Sequence, residues 1–377
     1  MQKLNEKKIK LVFFDTETTG VSLEDRIVQV AYSVVPLNNL LDKVELYREE
    51  FIKPEVPIKP AAAAVTGIWY NDLRNAKSFA ESKSLPELQA LIEDENVFFL
   101  AHNERFDRRM FAKEGLILPS NRVIDTWRLL KVYTDNDPDC ESTSLQYFRY
   151  SFDFYSDSAK IKVNSKGRTM TTKEVFNALK KAYGVDEIRP HTALSDTVVL
   201  HMLFIVLMSE KFSFNFSEVL NAAFTPHFAT KVTFGRVFEK GTPLDVALCG
   251  SYEQYGKTKD GISYFNWALQ NMDTLSLEDK VGISDMTVRC MSERKLLNFN
   301  EAAPMIALAA TFLPHHWSYL KDIGKNVELV RQMQLNMIQK AITRNLESGD
   351  AECINKGIQL KEDLEFLENY VARAVKA

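Results

Sequence analysis

An apolar run that stops abruptly at two acids sets the first constraint on this chain. Ile9-Lys10-Leu11-Val12-Phe13-Phe14 is followed at once by Asp15-Thr16-Glu17. The run has the apolar density of a buried strand. Residues i and i+2 of a strand point to one face, so Asp15 and Glu17 would be aimed together. Neighbouring carboxylates repel and raise each other's pKa. A divalent cation between them removes that conflict, and an oxygen donor set favours Mg²⁺ or Mn²⁺ over zinc. Alone, the pair reads equally well as two solvated strand-end acids before the turn Thr18-Thr19-Gly20.

The pattern downstream points to a mixed α/β sheet. Arg26 to Val35 reads as a second strand with Val28, Val30, Tyr32 and Val34 on one face, and the more polar Val44 to Ile52 as a third, near an edge. The three together predict an antiparallel meander. Leu85 to Glu95 has helical spacing, Val97 to Ala101 is a short buried strand, and Asn103 is placed to cap a helix through Phe111. Asp125 is placed to cap another helix running toward Val132. Asn164-Ser165-Lys166-Gly167 marks a hairpin tip, Thr172 to Tyr183 is helical, and Ala193 to Met208, after Pro190, reads as a buried helix. Strands first, then strands alternating with helices, is the order of an α/β architecture.

The chain has 377 residues, 45% hydrophobic and 26% charged, enough for a large core and for two or three domains. The texture predicts a first domain over 1–210, a small glycine-rich module over 229–278 and a helical C-terminal region over 279–377. Lys211 to Lys231 is expected to be a connection. Later helices are expected over Glu301 to Leu313, Trp317 to Leu346 and Ala351 to Val375. A net charge of −4 argues against a uniformly basic nucleic-acid coat, so any such contact must come from local patches. The four cysteines are far apart, which predicts neither a zinc site nor a disulfide framework and fits a reducing compartment. No signal-peptide pattern opens the sequence, and no membrane-length apolar stretch is apparent. The expectation is a cytoplasmic protein without membrane contact.

Two further pieces carry chemistry. In Ala101-His102-Asn103-Glu104-Arg105-Phe106-Asp107, Phe106, Met110 and Phe111 form a packing stripe and Asp107 falls in the early turns of a helix. By itself that acid suits the helix dipole. Phe106 is better read as core than as a base-stacking platform. In His191-Thr192-Ala193-Leu194-Ser195-Asp196, five helical residues would rotate the outer pair about 140° apart. His191 must therefore sit in the loop before the helix to turn toward Asp196. An Asp inside so apolar a helix needs a partner, and a metal supplies one.

Together these pieces resemble the DEDD superfamily of 3′→5′ exonucleases in its histidine variant. Phe14-Asp15-Thr16-Glu17-Thr18-Thr19-Gly20 matches its first motif, His102-Asn103 with Phe106-Asp107 the second, and His191 with Asp196 the third. Ile58 to Ile68 looks like the segment that follows the meander, and the resemblance runs from about Lys10 to Met208. It implies a ribonuclease H-like mixed sheet flanked by helices. It implies that Asp15, Glu17, Asp107 and Asp196 hold two Mg²⁺ (or Mn²⁺) ions, and that His191 takes the proton from the attacking water. Thr18 and Asn103 would contact the terminal nucleotide. The expected product is a nucleoside 5′-monophosphate, released from single-stranded DNA 3′ ends. RNA ends, or binding of ends without catalysis, are the alternatives.

Outside the motifs, Lys160 to Arg189 holds eight Lys or Arg against three acids and could meet a phosphate backbone or be a solvated insertion. Phe234-Gly235, Lys240-Gly241-Thr242-Pro243-Leu244 and Tyr264-Phe265-Asn266-Trp267 look like the small module that follows exonuclease domains of the exonuclease X type, which would bind DNA or a partner. The terminal helices could serve self-association. His315-His316 shows no evident partner ligands and reads as a surface or packing pair.

Overall fold

A computed structural model describes residues 6–134, 140–228, 231–232, 242–249, 251–254, 257–260, 275–294, 299–322 and 324–376. The chain divides into two compact units, Met1–Phe224 and Thr225–Ala377.

The first unit is built on a five-stranded mixed sheet. Its strands are β1 (Lys10–Thr18), β2 (Ile27–Pro36), β3 (Leu46–Phe51), β4 (Val97–Ala101) and β5 (Val123–Asp125), in the order β3-β2-β1-β4-β5. The first three form the expected antiparallel meander, and β4 and β5 add in parallel on the other side of β1. Edge strand β3 alternates half-buried and exposed residues, as its polar sequence requires. Central β1 is covered on both faces, so its apolar residues run without alternation.

The parity of β1 decides what each residue meets. Leu11 and Phe13 enter one core cluster, and Val12 and Phe14 enter the other. The helices are α1 (Pro60–Thr66), α2 (Ser84–Glu93), α3 (Glu104–Lys113), α4 (Thr126–Thr134), α5 (Leu145–Ser151), α6 (Thr172–Ala182), α7 (Ala193–Glu210) and α8 (Phe216–Phe224). The odd-numbered face of β1 packs with α7, through Val199, Met202 and Leu203. The even-numbered face packs with α2 and α3, through Leu88, Met110 and Phe111. Phe13 is fully buried, and truncating such a side chain costs about 3–5 kcal/mol.

Helix α7 is apolar all round because it is buried all round. By length and composition it could cross a membrane, but 94% of it is buried inside the fold. Two local expectations are corrected. The supposed connection after residue 210 contains α8, whose Phe216, Val219, Leu220, Ala223 and Phe224 join the same core. Asn103 stands at the N-cap position of α3 but in the left-handed region at φ 65, with no side-chain cap bond. Its backbone N–H instead donates to Asp125 Oδ1 at 2.9 Å. Asp125 Oδ1 also accepts from Trp127 N at 2.9 Å, so the expected start of α4 holds.

The basic interval is not a loose insertion. Strands β6 (Lys160–Lys162) and β7 (Thr169–Thr171) form a hairpin whose tip places Gly167 at φ 84. A capping box formed by Thr171 and Glu174 then opens α6. Ile161, Val163, Val175, Phe176 and Leu179 face the core, while Lys160, Lys162, Lys166, Arg168 and Lys181 stay exposed.

The second unit is mainly helical: Leu277–Arg294, Phe299–Phe312, Trp317–Asp322, Val327–Leu346 and Ala351–Lys376. Val281, Met305, Ile306, Phe312 and Leu367 are among its buried residues. The single helix expected from Trp317 to Leu346 is broken, with Gly324 at φ 72 and Asn326 capping the next helix at Leu329 N (3.1 Å). Cys290 is disulfide-bonded, where the cysteine spacing predicted no disulfide framework. A hairpin pairs Ser251–Gln254 with Lys257–Asp260. Phe234-Gly235, Lys240-Gly241 and Tyr264 to Trp267 lie outside the described residues.

Candidate active site

The odd-face rule for β1 carries past Phe13 to Asp15 and Glu17, which point to the side where α7 packs. Strand pairing continues through both, with Asp15 opposite Ala31 and Glu17 opposite Gln29, and a bulge falls between Glu17 and Thr18. Bulges turn a strand and re-aim its side chains. The intervening Thr16 takes the other face, and Asp107 from α3 meets it there. Asp107 Oδ1 accepts from Thr16 N at 3.0 Å and from Thr16 Oγ1 at 2.6 Å. The carboxylate of a separate helix is thereby fixed to the strand at Thr16, the residue between its two acids.

Asp196 lies in the first turn of α7. Its Oδ2 accepts the backbone N–H of His191 at 3.0 Å, and its Oδ1 accepts from Gln146 Nε2 at 2.5 Å. His191 precedes the helix, exposed and left-handed at φ 61. One ligand atom each from Glu17, His191 and Asp196 lie within 4.8 Å of one another. The loop position required of His191 by helical geometry is therefore the one it occupies.

Electrostatics draws the four carboxylates into one cluster. Asp15 is raised well above its ordinary value by desolvation and by the charges of Asp107, Asp196 and Glu17. Glu17 is raised to about 8, by burial first and then by Asp196 and Asp107. Burial also pushes Asp107 up to about 7 against the hydrogen bonds from Thr16. Asp196 rises to about 6 by burial, opposed by the His191 N–H and by Gln146. Four buried acids whose pKa values are all raised, two of them by the charges of the others, are a poor resting arrangement and a good cation site. Their oxygens suit Mg²⁺ or Mn²⁺.

The other expected contacts differ in kind. Thr18 turns its hydroxyl inward to Gly20 O at 2.7 Å, while the Asn103 side chain is exposed. Phe106 is half-buried against the α3 core, in line with a packing role. His102 is braced by Thr126 Oγ1 (3.0 Å) and Thr143 O (2.8 Å), as part of the scaffold.

Two glutamines were invisible to motif reading. Gln146, on α5, orients Asp196 and is itself held through Oε1 by Arg149 Nη1 at 3.1 Å. Gln29, across the strand pair from Glu17, accepts from Ala193 N at 3.0 Å and so ties β2 to the start of α7. For Gln29 the available signal was a polar residue inside an otherwise apolar strand.

The family model described as an exonuclease (RNase T) matches residues 12–204, the segment that contains every one of these residues. The chain belongs to this exonuclease family. The expectation of an exonuclease is borne out by this match, and the five-stranded mixed sheet flanked by helices is the architecture expected with it. As a family member the exonuclease is a hydrolase acting on nucleic-acid ends. It is 30% identical over 130 residues to the PolC-type DNA polymerase III of Streptococcus thermophilus, a match covering 33% of this chain and 8% of the relative. Exonuclease X, solved in complex with 5′ overhanging duplex DNA, is similar at 18% identity and a TM-score of 0.38, over 56% of this chain and 99% of that one. The nuclease domain of 3′hExo, a DEDDh family member bound to rAMP, is similar at 13% identity and a TM-score of 0.34, over 53% and 91%.

Proposed function

We propose that the exonuclease removes nucleotides from the 3′ ends of DNA, preferring single strands, in a reaction that requires divalent metal ions. The observation that carries this reading is the convergence of four buried carboxylates with raised pKa values, from β1, α3 and α7, beside an exposed histidine. Asp15, Glu17, Asp107 and Asp196 would hold two Mg²⁺ or Mn²⁺ ions. When bound, such ions supply Lewis acidity to a water and offset charge on the attacking and leaving oxygens.

The residues of the chain do the rest. Thr16 fixes Asp107 through two hydrogen bonds, and Gln146 fixes Asp196 through one, so neither carboxylate must reorganise during turnover. His191 is close enough to Glu17 and Asp196 to share their site, yet exposed enough to pass a proton to solvent. Its imidazole takes the proton of the attacking water. Asn103 faces solvent at the start of α3, where it can meet the terminal nucleotide, and Thr18, at the end of β1, is the second residue assigned to that contact. The exposed Lys160 and Lys162 of β6, Lys166 and Arg168 of the hairpin turn and Lys181 of α6 offer local positive charge for phosphates despite the net charge of −4. The DNA polymerase relative supports DNA over RNA as the substrate.

The test uses 5′-labelled oligonucleotides, DNA and RNA, single-stranded and duplex, with Mg²⁺. A ladder shrinking from the 3′ end, fastest on single-stranded DNA, is expected. Faster loss of RNA would reassign the substrate. Binding of ends without degradation would leave an end-binding protein in place of a nuclease.

A further inference from the structure

The second unit contains a cluster of metal-ligand type that the nuclease chemistry does not use. Asp285 lies on the helix Leu277–Arg294, and His315 and His316 lie in the single 3₁₀ turn Pro314–His316. Both imidazoles approach the same carboxylate oxygen, correcting the expectation of a histidine pair without partners. Asp285 Oδ1 is 3.0 Å from His315 Nε2 and 2.7 Å from His316 Nε2. One ligand atom from each residue lies within 4.8 Å of the other two. From this geometry we infer that Asp285, His315 and His316 form a second metal site, selective for a borderline dication such as Zn²⁺.

Distance, donor type and surroundings support it. A tetrahedral zinc with bonds of about 2.0–2.1 Å holds its ligand atoms about 3.3 Å apart. The two nitrogen–oxygen distances, 3.0 and 2.7 Å, would therefore open by about 0.3 and 0.6 Å to admit the ion. In the metal-free site each ring donates an Nε2–H to Asp285 Oδ1, and binding would move that proton to Nδ1 of the same ring, freeing the Nε2 lone pair for the metal without net proton loss. Arg289 Nη2 holds the other carboxylate oxygen at 2.9 Å, leaving Oδ1 directed at the rings. This is the support that metal-binding carboxylates commonly have behind them.

The same guanidinium opposes any cation held by charge alone. Mg²⁺ and Ca²⁺, which need several oxygens, are poorly served, whereas a metal bound through nitrogen lone pairs is well served. The His315 side chain is 53% exposed and that of His316 7%, so one edge of the cluster opens to solvent for a fourth ligand such as water. The site joins the turn to a helix about thirty residues earlier in sequence. A bound ion would cross-link them and raise the thermal stability of the holoprotein.

The exposure of His315 makes His315→Ala a variant that leaves the packed core alone, and Asp285→Asn provides a second, isosteric one. The full-length protein is stripped with chelator, then titrated with Zn²⁺ and, separately, Co²⁺. Wild type is expected to bind one more Zn²⁺ per chain than either variant, with that site weakened more than about 100-fold in both. A Co²⁺ visible absorption band should appear in wild type and be lost in the variants. Mg²⁺-dependent nuclease activity should stay unchanged in His315→Ala, which separates this site from the catalytic one. Equal Zn²⁺ stoichiometry and affinity, with the same Co²⁺ spectrum, in wild type and both variants would overturn the assignment.

Discussion

The Asp107 carboxylate is held in place by the backbone and hydroxyl of a residue 91 positions away, while burial pushes its pKa up to about 7. Positioning and electrostatic discomfort in one group is the arrangement expected of a cation ligand. It has a consequence for stability. In the folded, metal-free protein Glu17, Asp107 and Asp196 titrate at about 8, 7 and 6, whereas an unfolded carboxyl titrates near 4. The folded state therefore holds protons that the unfolded state has released, and stability falls as pH rises from about 4 through these values. In EDTA, the Tm of wild type is expected to drop between pH 5 and pH 8.5, and Asp107→Asn should reduce the drop. Mg²⁺ should restore the Tm more at pH 8.5 than at pH 5. Indistinguishable pH profiles for wild type and variant in EDTA would count against the coupling. His191 has a different role and a different signature. His191→Ala is expected to lower kcat about 10²–10⁴-fold, as loss of a general base does, with the Mg²⁺-induced rise in Tm largely kept.

At the scale of elements, the loop between β1 and β2 keeps the catalytic strand in register. Thr19 Oγ1, Ser22 N and Oγ, and Lys59 Nζ all converge on Asp25. Burial alone would raise the Asp25 carboxyl, but these donors outweigh it and hold the pKa down to about 2. The stabilisation is thus present above about pH 4 and lost as pH falls toward 2. The stability gap between wild type and Asp25→Asn should shrink between pH 5 and pH 2.5, and a constant gap would contradict the assignment. Gly20 is packed against this knot: a Cβ there would lie 2.6 Å from Asp25 Oδ2 and 2.8 Å from Lys59 Cδ. Gly20→Ala is expected to cost about 1–3 kcal/mol by overpacking, read by denaturant unfolding.

These elements also show why some parts were legible and others were not. β1, β2 and α7 announce themselves because buried elements must be apolar, and the acids stand out against that background. α8 escaped because its Phe- and Asn-rich sequence resembles a linker, although Phe216, Val219, Leu220 and Phe224 follow helical spacing. The Asn103 position was read correctly, but its side-chain cap was not, since the αL conformation depends on Asp125 from a later strand. Gln146 and Asp285 reach their sites through partners 50 and about thirty residues away, respectively. Spacing within a motif cannot reveal such long-range pairs.

At the scale of the whole molecule, each unit has its own apolar core, the first drawn from residues up to Phe224 and the second from residues after Thr225. The motif residues all belong to the first. A fragment of residues 1–224 is therefore expected to unfold cooperatively and to keep Mg²⁺-dependent hydrolysis. A fragment that unfolds without a cooperative transition would show that the first core depends on the rest of the chain. The same fragment lacks Asp285, His315 and His316, so it should also lose the Zn²⁺ site inferred above.

The most direct test of the central claim is a time course on 5′-labelled single-stranded DNA with wild type and Asp107→Asn, each in Mg²⁺ and in EDTA. A ladder shortening from the 3′ end in wild type with Mg²⁺, abolished by EDTA and by the substitution, is the predicted result. Degradation that proceeds equally in EDTA or in Asp107→Asn would contradict the account.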